Sequence, residues 1–165
     1  MSLKERWDED LLEEDDEDTQ EDKFLTFVLS REEFGIEIRY VMEIIGMQNI
    51  TEVPDVPRYI KGVINLRGKI IPVMDVRLRF EMEERAYDER TCIIVICIDE
   101  QSVGLIVDRV SEVLDIPKSD IEPPPKGKRG ENSRFIQGVG KAGEHVIIIL
   151  NAHQLLFDYT LEAEH

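Results

Sequence analysis

The hydrophobic and polar positions along the chain predict many short β-strands and little helix. In segment 34–41, FGIEIRYV, apolar residues alternate with polar ones, the period of a strand with one buried face. Segment 23–30, KFLTFVLS, is largely apolar at both odd and even positions, which indicates a strand covered on both faces. Polar residues 31–33 separate the two segments, so we expect a first hairpin here.

A second hairpin is predicted at Gly62 to Val76, GVINLRGKIIPVMDV. Two apolar runs flank Arg67 and Gly68, and a two-residue turn with glycine second is a common hairpin connection. Gly68 supplies the positive φ that such a turn needs. The prolines at 54 and 57 exclude a central strand just before this hairpin.

The second half of the chain repeats this alternation of apolar runs and turns. Segments TCIIVICID and SVGLIVDRV predict a hairpin across Glu100 and Gln101, and SEVLDIP continues the second strand. Segment 135–150 predicts a further hairpin with its turn at Gly143. The expected helical segments include one turn at 41–45, a short surface helix or irregular link at 76–84, and a short helix at 151–157.

About eight to ten short strands with hairpin connections predict an all-β fold, as small antiparallel barrels or a sandwich. The two halves are roughly similar, each with hairpins around a proline-rich crossing. We therefore expect two lobes, 23–85 and 86–157, between an N-terminal leader at 1–22 and a C-terminal tail at 158–165.

The negative charge of the chain is concentrated at its N-terminus. The net charge is −16, and residues 1–22 carry 12 acidic and two basic residues, a net of −10. This composition is typical of a disordered acidic leader. Nucleic acids and anionic membranes would repel such a chain, so neither is an expected partner.

The same sequence predicts a cytoplasmic location. No apolar run approaches the roughly 20 residues that span a bilayer. The N-terminus has no apolar signal-peptide core.

The sequence shows no consistent cluster of residues for catalysis or for binding a cofactor or metal. His145, His153 and His165 have no metal-ligand spacing. Cys92 and Cys97 are five residues apart, so on one strand they point to opposite faces. GVGKAG at 138–143 lacks the phosphate-binding spacing and predicts a turn. Asp75, Asp108 and Asp115 lie at the ends of separate predicted strands and are expected to be solvated.

Small β modules without a catalytic cluster usually bind partners through strand edges and hairpin tips. Arg67 at the tip of the second hairpin is either a partner contact or an ordinary exposed turn arginine. Glu43 is either a second contact or the salt-bridge partner of Arg67.

Four segments carry a resemblance to a known family, and together they cover Lys23 to Phe157. They are FLTFVLSREEFGIEIRYVMEII, ITEVPDVPRYIKGVINLRGKIIPVMDVRLRF, SVGLIVDRVSEVLDI and VIIILNAHQLL. The long run from Pro54 to Arg77 is specific, and with it the chain resembles the CheW family of bacterial chemotaxis coupling proteins. The acidic leader and the basic proline-rich loop around 123–128 depart from the common pattern of that family without touching this run.

The resemblance implies two SH3-like five-stranded antiparallel β-barrel lobes packed through a shared apolar interface. It implies a non-enzymatic adaptor that links the cytoplasmic hairpin tips of chemoreceptors to the histidine kinase CheA. It further implies a protein that is monomeric when isolated, needs no cofactor or metal, and is recruited to membrane-associated receptor clusters.

By the same resemblance, the receptor tip docks in the groove between the lobes. The receptor-binding positions it implies are Val41, Glu43, Gly62, Asn65, Arg67, Gly68, Val110 and Val113. The kinase regulatory domain, which has the same fold, docks end to end against strand ends and apolar turns. Val103 and Gly104 are the candidate positions there.

Two other interpretations stay open on the residues alone. A longer docking protein with a phosphorylation-receiver domain would need roughly 120 more residues than the chain has. A small β-barrel with enzymatic or ligand-binding activity would need a His, Cys or carboxylate cluster that the sequence does not show.

Overall fold

The computed structural model describes residues 20–124 and 134–157 of the 165-residue chain. The predicted leader therefore lies outside the described residues except for its last three positions, and the predicted tail lies outside them entirely. No helix in the described ranges is long and apolar enough to cross a membrane.

Strands dominate the described residues, as the alternating pattern predicts. Their bounds are β1 Lys23–Leu29, β2 Glu32–Glu37, β3 Val41–Gly46, β4 Ile60–Leu66, β5 Lys69–Asp75, β6 Cys92–Ile98, β7 Gln101–Val107, β8 Arg109–Asp115, β9 Ile121–Glu122, β10 Ile136–Ala142 and β11 His145–Leu150. One helix, α1, spans Val76–Arg79, and residues 152–157 form a second, α2. The prediction of a mainly β protein with few short helices is confirmed.

The four predicted hairpins are present as β1–β2, β4–β5, β6–β7 and β10–β11. The turn between β6 and β7 consists of Asp99 and Glu100, one residue earlier than predicted, and both have positive φ. Gly143, with φ of 64°, lies in the turn between β10 and β11 as predicted.

Two local predictions were wrong. Residues 41–45 are not a helical turn but most of β3, because they pair with β6 along its length. α1 is not on the surface, since all four of its residues are buried. The charges of Arg77 and Arg79 made this segment look exposed to solvent. Both arginines are accommodated in the interior by tertiary contacts, which the local sequence does not show.

The strands form two open sheets with the orders β8-β1-β2-β11-β10-β9 and β3-β6-β7-β5-β4. Each sheet takes strands from both halves of the chain, so a boundary at residues 85 and 86 does not separate them. The expected five-stranded, wholly antiparallel closed barrels need correction too. One sheet has six strands, and the pairs β2–β11 and β5–β7 are parallel because distant segments return beside earlier strands.

Three apolar clusters hold this arrangement together. The largest contains side chains of both sheets, among them Leu25 of β1 and Ile94 of β6, and is called the shared core below. A second cluster belongs to the five-stranded sheet, around Ile71 and Val95. The third belongs to the six-stranded sheet, around Ile147. The expectation of a shared apolar interface between two β units agrees with this division.

Candidate functional site

The tip of the β4–β5 hairpin is joined to strand β3 by an ion pair. The two terminal nitrogens of Arg67 donate to the two carboxylate oxygens of Glu43, each at 2.6 Å. The hydrogen bonds from Arg67 hold the pKa of Glu43 below its ordinary value, and those to Glu43 raise the pKa of Arg67. Both groups are therefore charged at neutral pH, and the salt-bridge interpretation of Glu43 is the one the structure supports.

Backbone geometry at this tip explains the residues found there. Arg67 and Gly68 have φ values of 52° and 86°. Two positive φ angles in a two-residue loop define the turn whose twist matches a β-hairpin. The side-chain oxygen of Asn65 accepts a hydrogen bond from the Gly68 N–H at 2.9 Å, which stabilises the turn. The sequence indicated a positive φ at Gly68 but gave no sign of one at Arg67.

Gly62 is buried and lies where another segment crosses β4. Thr51 and Val63 form a backbone bridge, with both N···O distances at 2.9 Å. A Cβ atom on Gly62 would lie 2.1 Å from the carbonyl oxygen of Thr51. The crossing therefore requires glycine at this position, and Gly62 acts by letting the chain cross rather than by presenting a side chain.

The two edge strands β3 and β8 carry apolar side chains that border the shared core. Val41 and Val110 pack against that core and are partly buried. Ile44 is opposite Ile94, and Val113 is opposite Leu25, both shared-core residues. Ile44 and Val113 are nevertheless 44% and 40% exposed.

These four residues, Val41, Ile44, Val110 and Val113, are called the apolar rim below. Large apolar side chains at a strand edge suit contact with a partner. Ile44 is not among the receptor-binding positions expected from the sequence, although it is the apolar neighbour of Glu43 on strand β3.

The two candidate kinase-binding positions do not reach the surface. Val103 has an exposure of 0% and belongs to the shared core. Gly104 is buried, and a Cβ atom there would lie 2.7 Å from Ile93 and 3.0 Å from Val73. Neither residue is therefore exposed for a direct contact with a kinase, because β7 is covered on both faces along most of its length.

Asp108, expected to be a solvated strand-end carboxylate, is instead part of a buried network. Nε and Nη2 of Arg77 both donate to its carboxylate at 2.7 Å, and the Ser30 N–H donates at 2.8 Å. Burial opposes ionisation, but the hydrogen bonds outweigh it and hold the pKa of Asp108 below its ordinary value. Arg85 adds a contact at 3.2 Å from the solvent side.

Asp75 is also buried, contrary to expectation. It accepts the Leu78 N–H at 3.3 Å as the N-cap of α1, and the Tyr87 hydroxyl donates to it at 2.8 Å. These bonds place Asp75 in a structural role. Across residues 20–124 and 134–157, no group of three His, Cys, Asp or Glu side chains is arranged to hold a metal ion.

Comparison with known proteins agrees with this geometry. The family model of the CheW-like domain matches residues 23–159. The chain is 39% identical over 134 residues to the chemotaxis protein CheW of Klebsiella aerogenes, covering 81% of each. It is 34% identical over 135 residues to that of Bacillus subtilis, covering 82% of this chain and 86% of the relative.

A solved structure gives the same result for the fold. The scaffolding protein TtCheW of Thermoanaerobacter tengcongensis is 40% identical and superposes with a TM-score of 0.76, over 81% of this chain and 91% of that one. The family match, the identities and the shared fold lead to one conclusion: this chain is a member of the CheW-like domain family.

Proposed function

We propose that this protein is a chemotaxis adaptor that couples the cytoplasmic hairpin tips of chemoreceptors to the histidine kinase CheA. It does so by binding both partners without catalysing a reaction. Its place of action is the cytoplasm, at receptor clusters beside the membrane. The observation that carries the proposal is the apolar rim, whose exposed Ile44 is adjacent to Glu43 on β3, and Glu43 in turn pairs with Arg67 at the tip of the β4–β5 hairpin.

The receptor side of the proposal follows from the chemistry of this surface. A helical hairpin tip presents apolar side chains at intervals of three and four residues, and an apolar surface with a few polar contacts recognises it. Ile44 and Val113 supply the apolar contacts. Arg67, whose side chain is largely exposed, supplies the polar one. Asn65, Gly68 and Gly62 act by shaping the hairpin that carries Arg67.

The kinase side needs a different surface from the one expected. An end-to-end contact between related β domains uses strand ends and apolar side chains near turns. Ile70, one residue into β5, is 61% exposed and meets this requirement, whereas Val103 and Gly104 are covered. We therefore place the kinase contact at Ile70.

Receptor binding is tested with Val113→Asp against a matched control, Val146→Asp. Val146 is an equally apolar residue that is 60% exposed on β11, outside the apolar rim. A charge buried at a contact weakens binding by roughly 10-fold or more. Titration calorimetry with a receptor cytoplasmic fragment is expected to show this loss for Val113→Asp alone. Equal affinities for the two variants would contradict the proposed receptor surface.

Kinase binding is tested separately with Ile70→Asp and a purified CheA regulatory domain. We expect wild type and Val113→Asp to co-purify with that domain, and Ile70→Asp to lose it while still binding the receptor fragment. Failure of the wild-type protein to bind either partner would refute the adaptor function itself.

A further inference from the structure

Asp108 is the single residue between β7 and β8, and therefore the point where the chain passes from one sheet to the other. β7 is a central strand of the five-stranded sheet. β8 is the edge of the six-stranded sheet and carries Val110 and Val113 of the apolar rim. The backbone direction at Asp108 thus sets how β8, and this half of the rim, continues from the five-stranded sheet.

Three segments besides its own hold the carboxylate of Asp108. Arg77 of α1 donates two bonds in a fork, Ser30 of the β1–β2 turn donates its backbone N–H, and Arg85 approaches from the loop after α1. Arg77 and Asp108 have side chains only 10% and 12% exposed. A forked arginine–carboxylate pair has a narrow range of allowed geometries, so it constrains orientation as well as distance.

The remaining donors of Arg77 extend the constraint to both sheets. One terminal nitrogen donates to the hydroxyl oxygen of Ser30 at 3.0 Å, and the other donates to the carbonyl of Glu83 at 2.9 Å. Ser30 follows β1 of the six-stranded sheet, and α1 follows β5 of the five-stranded sheet. The network thus joins the end of β5 to the end of β1 through Asp108, the residue that precedes β8.

We infer that Asp108, held by Arg77 and Ser30, is a positioning residue that fixes the angle between the two sheets and so the separation of β3 from β8. This inference rests on the proposed receptor binding at the apolar rim. Asp108 does not touch the receptor. It keeps the two halves of the rim at one fixed spacing for the receptor tip, and its loss makes that spacing variable.

The test compares Asp108→Asn and Arg77→Lys with Arg85→Ala as the matched control. Arg77→Lys keeps the charge but cannot form the fork. Arg85→Ala removes the outer contact and leaves the fork intact. Each variant also carries Gln48→Cys and Ser111→Cys, after β3 and on β8, for paired spin labels, with Cys92 and Cys97 replaced by alanine. Circular dichroism first establishes that each protein is folded at the temperature used.

We expect one narrow distance distribution for the parent protein and for Arg85→Ala, and a broadened one for Asp108→Asn and Arg77→Lys. Affinity for the receptor fragment is expected to fall roughly 3- to 30-fold in the same two variants. Asp108→Asn or Arg77→Lys that is folded and yet keeps the distance distribution of the parent protein, or its receptor affinity, overturns the inference. If Asp108→Asn does not fold, the milder Arg77→Lys decides by the same two measurements. Absence of receptor binding by the parent protein would instead refute the proposed function.

Discussion

The carbonyl oxygen of Thr51 lies 2.1 Å from the position that a Cβ atom on Gly62 would occupy. Gly62 also has a φ of 145°, which side-chain-bearing residues rarely adopt. Contact and conformation thus both require glycine where the segment after β3 crosses β4.

Gly62→Ala is therefore expected to lower the free energy of unfolding by about 3 kcal/mol or more. The matched control is Gly68→Ala, where φ is 86° and a Cβ atom would have no neighbour within 4 Å. Its cost is expected to be about 1–2 kcal/mol, from the backbone conformation alone. Urea unfolding of both variants gives the comparison, and equal losses would mean that the crossing at Thr51 adapts to a side chain.

Arg67→Glu is expected to weaken receptor binding roughly 10-fold while leaving the fold intact. The exposed hairpin tip contributes little to the core, and the substitution places two carboxylates together. The double variant Glu43→Arg with Arg67→Glu is expected to regain the melting temperature of wild type, because opposite charges face each other again. It is not expected to regain affinity, since the positive charge no longer lies at the tip.

Calorimetry and circular dichroism on the same samples check both parts of this prediction. Full recovery of affinity in the double variant would show that the pair serves to hold the hairpin rather than to contact the receptor.

Asp108→Asn is expected to lower the free energy of unfolding by about 3 kcal/mol at pH 7, because Arg77 is left buried beside a neutral partner. The pKa of Asp108 in the folded protein lies below its ordinary value of 3.8. The contribution of the ionised carboxylate to stability is therefore present above pH 3.8 and is lost as pH falls through the lower, folded-state pKa.

Urea unfolding of wild type and Asp108→Asn is measured between pH 7 and pH 3. The difference between their free energies of unfolding should be constant over most of this range and should narrow only at the acid end. Arg85→Ala, which removes a largely exposed partner of the same carboxylate, is expected to cost at most about 1 kcal/mol. A difference between wild type and Asp108→Asn that is already small at pH 7 would contradict a structural role for the buried pair.

The Tyr87 hydroxyl is expected to ionise only at strongly alkaline pH. Burial raises the pKa of its hydroxyl, and the hydrogen bond to Asp75 raises it further. In an alkaline titration followed by tyrosinate absorbance, Tyr87→Phe should remove a component whose pKa lies above the ordinary tyrosine value. The same variant leaves Asp75 with one donor fewer and should lower the free energy of unfolding by about 1–2 kcal/mol. If Tyr87→Phe instead removed a component with the ordinary tyrosine pKa, that result would contradict the hydrogen bond between Tyr87 and Asp75.

The sequence by itself determined most of the strands, the four hairpins and the turn at Gly68. These features are local, since a strand repeats every two residues and a hairpin turn requires particular residues at its centre. The long and specific run from Pro54 to Arg77 also carried the resemblance to the family.

Only the tertiary structure decided which strands share a sheet. The pairs β1–β8, β2–β11 and β5–β7 join segments far apart in the chain, and no local pattern records such pairings. Local patterns likewise do not show which strands are covered on both faces. For this reason Val103 looked available for contact, although it is enclosed in the structure. Asp108 looked solvated for a similar reason: the donors that stabilise its charge come from Arg77 and Ser30, which approach it only once the two sheets have packed together.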